Sequence, residues 1–283
     1  DTNNSKAQKV VENESYLDVA SYMEMNPKNG LPVKYEKSDL VKRRFVPIKE
    51  VLGKPAEISI SKDSWEQMLR GKYKFSYNGV HMLKDPTTIC LYSVLLKELQ
   101  PKTIIELGTY TGSSALMFAD YSVNFGFDCM VHTWDINEDI ISPVLKTAVN
   151  KDRVKVHIKD LYDLEKAFPE ELLKSLPHPW LIIDDAHVNL EKVIAFLYQR
   201  MEVGDYYVSE DLHPYSNVNY FKESNLFEWK SGDDDYEVWG EFKRKQVLSA
   251  FSLCQGLAID SYYTNYWGKN STCICEGVVK KIN

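Results

Sequence analysis

Two short stretches of this chain each end an apolar run on a pair of acids. Trp180-Leu-Ile-Ile-Asp184-Asp185-Ala-His187 is one, and Gly204-Asp-Tyr-Tyr-Val-Ser-Glu210-Asp211 is the other. Apolar runs of this length read as buried strands. In a doubly wound sheet the two would be neighbours, with their carboxyl ends opening on the crevice where ligands bind. Asp184, Glu210 and Asp211 would then crowd together. Like charges that close raise one another's pKa unless a cation intervenes. A hard divalent ion with oxygen ligands, Mg²⁺ first, resolves the repulsion. Asp185 taken alone reads as a helix cap or a solvated acid.

His187 lies three residues beyond Asp184, at the expected start of a helix. It could take a proton from a substrate hydroxyl held on the metal, or it could orient Asp184 from behind. His213, in Glu210-Asp-Leu-His213-Pro-Tyr215, is the rival base. Tyr206, Tyr207, Tyr215 and Tyr220 gather around the same strand end as core or pocket-wall residues. The run Gly232-Asp-Asp-Asp-Tyr236 reads as a solvated loop.

A second constellation lies upstream, in Thr103-Ile-Ile-Glu-Leu-Gly-Thr-Tyr-Thr-Gly-Ser-Ser114. A strand enters a glycine turn and leaves as a helix. A dinucleotide turn needs G-x-G-x-x-G, but here Tyr110 takes the middle glycine's place and Glu106 brings an acid to the crevice. An acid repels a pyrophosphate and attracts an amino group, so the pattern suits S-adenosylmethionine. Gly108 and Gly112 permit positive φ and close backbone approach. Asp135 ends the second strand and could accept both ribose hydroxyls. Asp160 ends the third and could meet the adenine amine. Glu106, Gly108, Gly112, Ser113, Asp135, Asp160 and Asp184 are the expected cofactor contacts.

The elements that must position these groups alternate. Strand-like runs fall at 103–108, 130–135, 154–158, 180–184 and 205–209. Helix-like runs fall at about 112–122, 138–149, 162–175, 188–201 and 239–254. Shorter helices are expected over 15–25, 64–70 and 86–99. Alternation of this kind means βαβ units and a mostly parallel sheet. Leu257–Tyr263 and Cys273–Ile282, joined through 268–272, read as a terminal antiparallel hairpin. The expected fold is α/β and Rossmann-like, with seven strands. Residues 1–80 are expected as an arm, lid or dimer segment, and 81–283 as the catalytic domain.

The whole chain has 283 residues, 44% of them hydrophobic, and a formal net charge of −7. No basic block is present, which argues against nucleic acid as the partner. No apolar run reaches the ~18 residues of a membrane span. The cysteines (Cys90, Cys129, Cys254, Cys273, Cys275) form no C-x-x-C pair and read as reduced thiols of a cytoplasmic protein, Cys273 and Cys275 sharing one face of a strand. Sequons at Asn3, Asn13 and Asn270 occur at about the chance rate. The chain starts at Asp1 without Met, which leaves room for a removed leader.

The block from Leu181 to Tyr215 resembles the cephalosporin hydroxylase family, which has a methyltransferase fold. It is also similar to the related macrolide-sugar and rhamnosyl O-methyltransferases. Ile183-Asp-Asp-Ala-His187, Glu202-Val-Gly-Asp-Tyr-Tyr-Val-Ser-Glu-Asp211 and Glu276-Gly-Val-Val-Lys280 carry the resemblance. Glu106-Leu-Gly-Thr-Tyr-Thr-Gly112 and Gly79-Val-His-Met-Leu-Lys-Asp-Pro86 agree with it. It extends over about residues 75–283. The resemblance implies a class I methyltransferase using S-adenosylmethionine. It also implies Mg²⁺ on Asp184, Glu210 and Asp211, and His187 as general base. The family often carries Asn or Gly where this chain has Asp185. The expected function is methylation of a hydroxyl on a sugar or small natural product, with a small-molecule partner, no membrane, and room for a homo-oligomer. The alternatives are an N-methyltransferase or hydroxylase on the same fold, or a non-catalytic binding module. All-carboxylate ligands disfavour a hydroxylase iron site, which prefers two histidines and one carboxylate.

Overall fold

The structure is a computed structural model that describes residues 44–215 and 239–283, with Trp239 described by its backbone alone. The helix expected at 15–25, Tyr220 and the acidic run 232–236 lie outside the described residues.

The first described strand, β1 (Phe45–Pro47), pairs antiparallel with a strand near the C-terminus. Two side-chain caps then start helices. Ser61 accepts the Ser64 N–H and opens α1 (Lys62–Lys72). A small hairpin follows, β2 (Ser76–Tyr77) with β3 (Val80–His81). Asp85 accepts the Thr87 and Thr88 N–H groups and, with Pro86 in the first turn, opens α2 (Pro86–Leu99). Such caps satisfy donors that the helix itself leaves unpaired. Gln100 in the left-handed conformation stops α2 just before Pro101.

The five expected βα strands are present. They are β4 (Thr103–Leu107), β5 (Met130–Asp135), β6 (Val154–Ile158), β7 (Trp180–Asp184) and β8 (Tyr206–Ser209). They run parallel in the order β8-β7-β4-β5-β6. The chain winds from β4 through β5 to β6, then crosses to β7 and β8 on the other side. That reversal opens a crevice at the carboxyl ends of β4 and β7. Their helices are α3 (Ser113–Phe125), α4 (Leu164–Ala167), α5 (Glu170–Ser175), α6 (Leu190–Tyr198) and α7 (Trp239–Ser252). The helix expected over 138–149 is instead a 3-10 turn at Pro143–Lys146. Pro143 supplies no N–H and can only begin such a turn. The run 162–175 divides into α4 and α5 because Pro169 interrupts it.

The terminal pair is antiparallel as expected, β9 (Leu257–Asp260) against β10 (Val278–Lys281). The connection between them is longer than a hairpin turn. It holds α8 (Ser261–Thr264) and a series of turns in which Asn270 and Cys275 have positive φ. Cys273 and Cys275 therefore lie in a buried turn, not on one strand face, and all five thiols are free. Asn270 is buried too, its amide donating to Glu57 O and Glu276. β10 pairs with β8 as well. With β1 on β9, the seven expected strands become eight. Residues 44–80, read from the sequence as part of an arm, thus supply an edge strand and a helix.

Side chains alternate across each strand, so the sheet carries an apolar layer on each face. Leu91, Leu95 and Phe118 pack with Leu181, Ile183 and Val208 on one side. Val193, Leu197 and Phe251 pack with Trp180, Ile182 and Tyr207 on the other. Each such side chain contributes about 1.5–3 kcal/mol when fully buried. The two layers clamp the sheet and fix where its strand ends point.

Candidate active site

A cavity of about 640 Å³ opens at the carboxyl ends of β4, β5 and β7. At one end is the turn between β4 and α3. Gly108 has φ +97°, and a Cβ there would come within 3.0 Å of the Asp185 backbone. Glycine is needed because the turn presses on the chain leaving β7. Gly112, at φ +82°, faces Leu145, whose methyl would lie 2.9 Å from an added Cβ. Tyr110 itself holds a positive φ, and its N–H donates to Asp135 Oδ2 at 2.8 Å. Asp135 Oδ1 takes the Asn137 N–H, so the carboxylate at the end of β5 is held by two backbone donors. Asp160 is exposed and takes the Tyr162 N–H. Gly108, Ser113, Asp135 and Asp160 all line the cavity.

Glu106 does not stand on the cavity wall. It is fully buried beneath the turn, accepting from Ser114 at 2.5 Å and Thr133 at 2.7 Å. Burial pushes its carboxyl up to about 7, against the pull of Lys84 and these hydroxyls. Ser113 spends its hydroxyl on the His81 carbonyl, which ties α3 to β3. Asp135 thus stands on the cavity wall at this end, and Glu106 acts from below it.

At the other end the structure does not bring the expected trio of acids together. The register sets Asp184 opposite Ser209. Asp184 shares a face with Tyr207, whose hydroxyl donates to its Oδ2 at 2.7 Å. Glu210 falls on the opposite face, where Tyr92 and Lys84 donate to it at 2.5 Å and 2.6 Å. Alternation thus sends Asp184 and Glu210 to opposite sides of the sheet. Asp185 and Asp211, each just past its strand, are the acids that meet in the cavity. His187 joins them: its Nε2 lies 3.3 Å from Asp185 Oδ1 and 3.4 Å from Asp211 Oδ2. One ligand atom from each of Asp185, His187 and Asp211 can lie within 4.8 Å of the others. His187 and Asp211 both have positive φ, which bends the chain so that these side chains converge.

Three lysines complete this end, and the sequence reading gives none of them a role. Lys72, the last residue of α1, bonds Asp211 Oδ1 at 2.9 Å. Lys84, between β3 and α2, reaches Glu210 and also Asp185 at 3.2 Å. Lys243 of α7 meets His187 Nδ1 at 2.6 Å and the Glu210 carbonyl at 2.7 Å. Burial opposes the charge of Lys84, but Glu210, Asp185 and Glu106 outweigh it and keep the group charged. Burial likewise raises the Asp211 carboxyl, yet Lys72 and His187 hold it well below the usual range. Burial lowers Lys243, and the four neighbouring carboxylates only partly restore it. His213 stands apart. It is buried, stacked on Trp65 at 3.5 Å, and pushed down to about 3 by burial. Tyr206 is engaged by Asp260 and does not line the cavity.

The donor set suits a hard cation. Mg²⁺ is commonly held by one or two carboxylates, with water and substrate completing its shell. Asp185 and Asp211 are such a pair, and an imidazole is a poor ligand for that ion. Among the described residues no helix is long and apolar enough to cross a membrane.

Comparison with known proteins agrees with this fold. The rhamnosyl O-methyltransferase of Mycobacterium bovis (strain BCG / Pasteur 1173P2) is 29% identical over 149 residues, 52% of this chain and 58% of the relative. That of Mycobacterium leprae (strain TN) is 26% identical over 51% of this chain and 61% of its own length. The matches thus span about six-tenths of these curated relatives. Among solved structures, CmcI with Mg-SAM has 25% identity and a TM-score of 0.56, over 85% of this chain and 91% of that one. An apo form of CmcI has 26% identity and a TM-score of 0.55, over 82% and 87%. The class I methyltransferase fold is the one these structures share. A family model described as Rhamnosyl O-methyltransferase/CmcI matches residues 70–252, and the chain belongs to that family.

Proposed function

We propose that this protein is a Mg²⁺-dependent, S-adenosylmethionine-dependent O-methyltransferase acting on a hydroxyl of a sugar or small natural product. The observation that carries the reading is one cavity with two ends. The Gly108 turn and Asp135 suit a nucleoside, and Asp185, His187 and Asp211 converge a short way off. Family membership and the Mg-SAM complex of CmcI support it. The cation would be held by Asp185 and Asp211, and S-adenosylmethionine would lie along the turn with its ribose on Asp135.

A cation held by Asp185 and Asp211 would supply acidification of the acceptor hydroxyl, and S-adenosylmethionine would supply an activated methyl group. The chain's own residues do the rest. With Lys243 as the neutral amine that burial favours, His187 donates its Nδ1–H to Nζ, so Nε2 is the ring atom presented to the cavity and the one that would take the hydroxyl proton. Asp185 and Asp211 flank that atom and stabilise the imidazolium that results. Glu106 sits beneath the turn, where its charge favours a cationic tail. Positioning should supply most of the rate, since the methyl donor is already activated.

The test is His187→Ala. Loss of a general base typically lowers turnover by about 10²–10⁴-fold. Affinity for S-adenosylmethionine, read by calorimetry, should stay at the wild-type value. Unchanged turnover would remove His187 from the base role, and no heat of cofactor binding to the wild type would favour a binding module instead.

A further inference from the structure

Among the described residues, four carboxylates end β7 and β8, and three lysines stand beside them, from three separate places: α1, the β3–α2 link and α7. Burying a lysine is costly unless an opposite charge repays it. Their convergence is therefore a response to the acids. A dication on Asp185 and Asp211 competes with the lysines that hold those acids, Lys84 on Asp185 and Lys72 on Asp211. One lysine should leave.

The geometry points to Lys72 as that lysine: we propose that it neutralises Asp211 in the cation-free protein and is displaced when a divalent ion binds. This inference rests on the cation site proposed above. Among the described residues Lys72 pairs with one acid, whereas Lys84 pairs with two. Its side chain is 10% exposed against 3% for Lys84. Lys243 is buried and fixed on both His187 and the Glu210 carbonyl. Lys72 also lines the cavity and ends its helix, so its ammonium can swing out while α1 stays packed through Trp65 and Leu69. Lys72 is then an internal competitor that sets how tightly the cation is held, and it becomes a free ammonium near the acceptor once the ion is in place.

The experiment measures Mg²⁺ binding by calorimetry in wild type, Lys72→Met and Lys72→Arg, with no acceptor present. Removing the competitor should tighten binding about tenfold in Lys72→Met, the change that ~1.4 kcal/mol produces. Lys72→Arg keeps the charge and should not tighten it. A second readout uses the unaltered protein: amine labelling of Lys72, followed by mass spectrometry, should rise when Mg²⁺ is added. That readout decides the matter if Lys72→Met does not fold. Wild-type binding of Mg²⁺ with equal or weaker binding in Lys72→Met, or with labelling unchanged, overturns the displacement and leaves the cation site standing. Absence of Mg²⁺ binding in both wild type and Lys72→Met overturns the cation site and the displacement together.

Discussion

The two ends of the cavity are built by different means. At the Gly108 turn the specific contacts are made by backbone: Tyr110 and Asn137 N–H groups on Asp135, and a glycine pressed against the Asp185 peptide. At the acid end the contacts are side chain to side chain, across sequence separations of 139 and 126 residues for Lys72–Asp211 and Lys84–Glu210. A turn made of backbone holds a ligand through shape and is rigid once glycine permits it. A buried set of opposed charges holds only while every partner is present. The second end should therefore be the more fragile, and the more responsive to a ligand that changes its charge.

The sharpest way to break this contrast is Lys84→Met. It leaves Glu210 buried with only Tyr92 to serve it. Breaking a buried pair in this way costs about 3–5 kcal/mol, so thermal denaturation should show a large fall in Tm. Adding Glu210→Gln should restore much of it. A fall no larger than that of a surface ion pair would mean that the acid end is not charge-locked.

Gly108→Ala probes the other end and should be milder. The left-handed backbone and the 3.0 Å approach to Asp185 predict a loss of about 1–3 kcal/mol. Because the contact is with the chain leaving β7, the alanine should also weaken Mg²⁺ binding, which would link the two ends. Denaturant unfolding and a Mg²⁺ titration read both effects.

Glu106 gives the most specific effect. Burial raises its carboxyl from 4.5 to about 7 in the folded chain. The folded state thus binds a proton that the unfolded state releases. Its stabilising share is complete below about pH 4.5, is lost as pH climbs towards 7, and is level above that. Glu106→Gln should gain stability relative to wild type across that window. Parallel stability curves for the two proteins would show that Glu106 ionises freely.

The difference between the ends also governs what could be read in advance. The β4–α3 turn, the strands and the acids at their ends are local features, and apolar runs closed by Gly, Asp or Glu announce them. The helix expected over 138–149 gives way to a 3-10 turn because Pro143 overrides the apolar periodicity. Asp184 and Glu210 were expected to meet because both end a strand. Whether two strand-end side chains share a face depends on register, here Asp184 opposite Ser209, and spacing alone does not give it. Alternation groups Asp184 with Ile182 and Trp180 and leaves Asp185, the residue beyond, to face the crevice. The lysines carry no local sign of a role: Lys84 lies within the Gly79–Pro86 segment and Lys72 just past a helix-like run, and only tertiary packing delivers them to the acids.

The central claim is that Asp185 and Asp211, not Asp184 and Glu210, grip the cation beside the cofactor. Calorimetric titration of Mg²⁺ into Asp185→Asn, Asp211→Asn and Asp184→Asn, each with S-adenosylhomocysteine bound, tests it most directly. The account predicts that the first two lose binding by at least about tenfold, while Asp184→Asn, with its side chain turned to Tyr207, binds as wild type does. Loss of binding in Asp184→Asn with Asp185→Asn unaffected would contradict it.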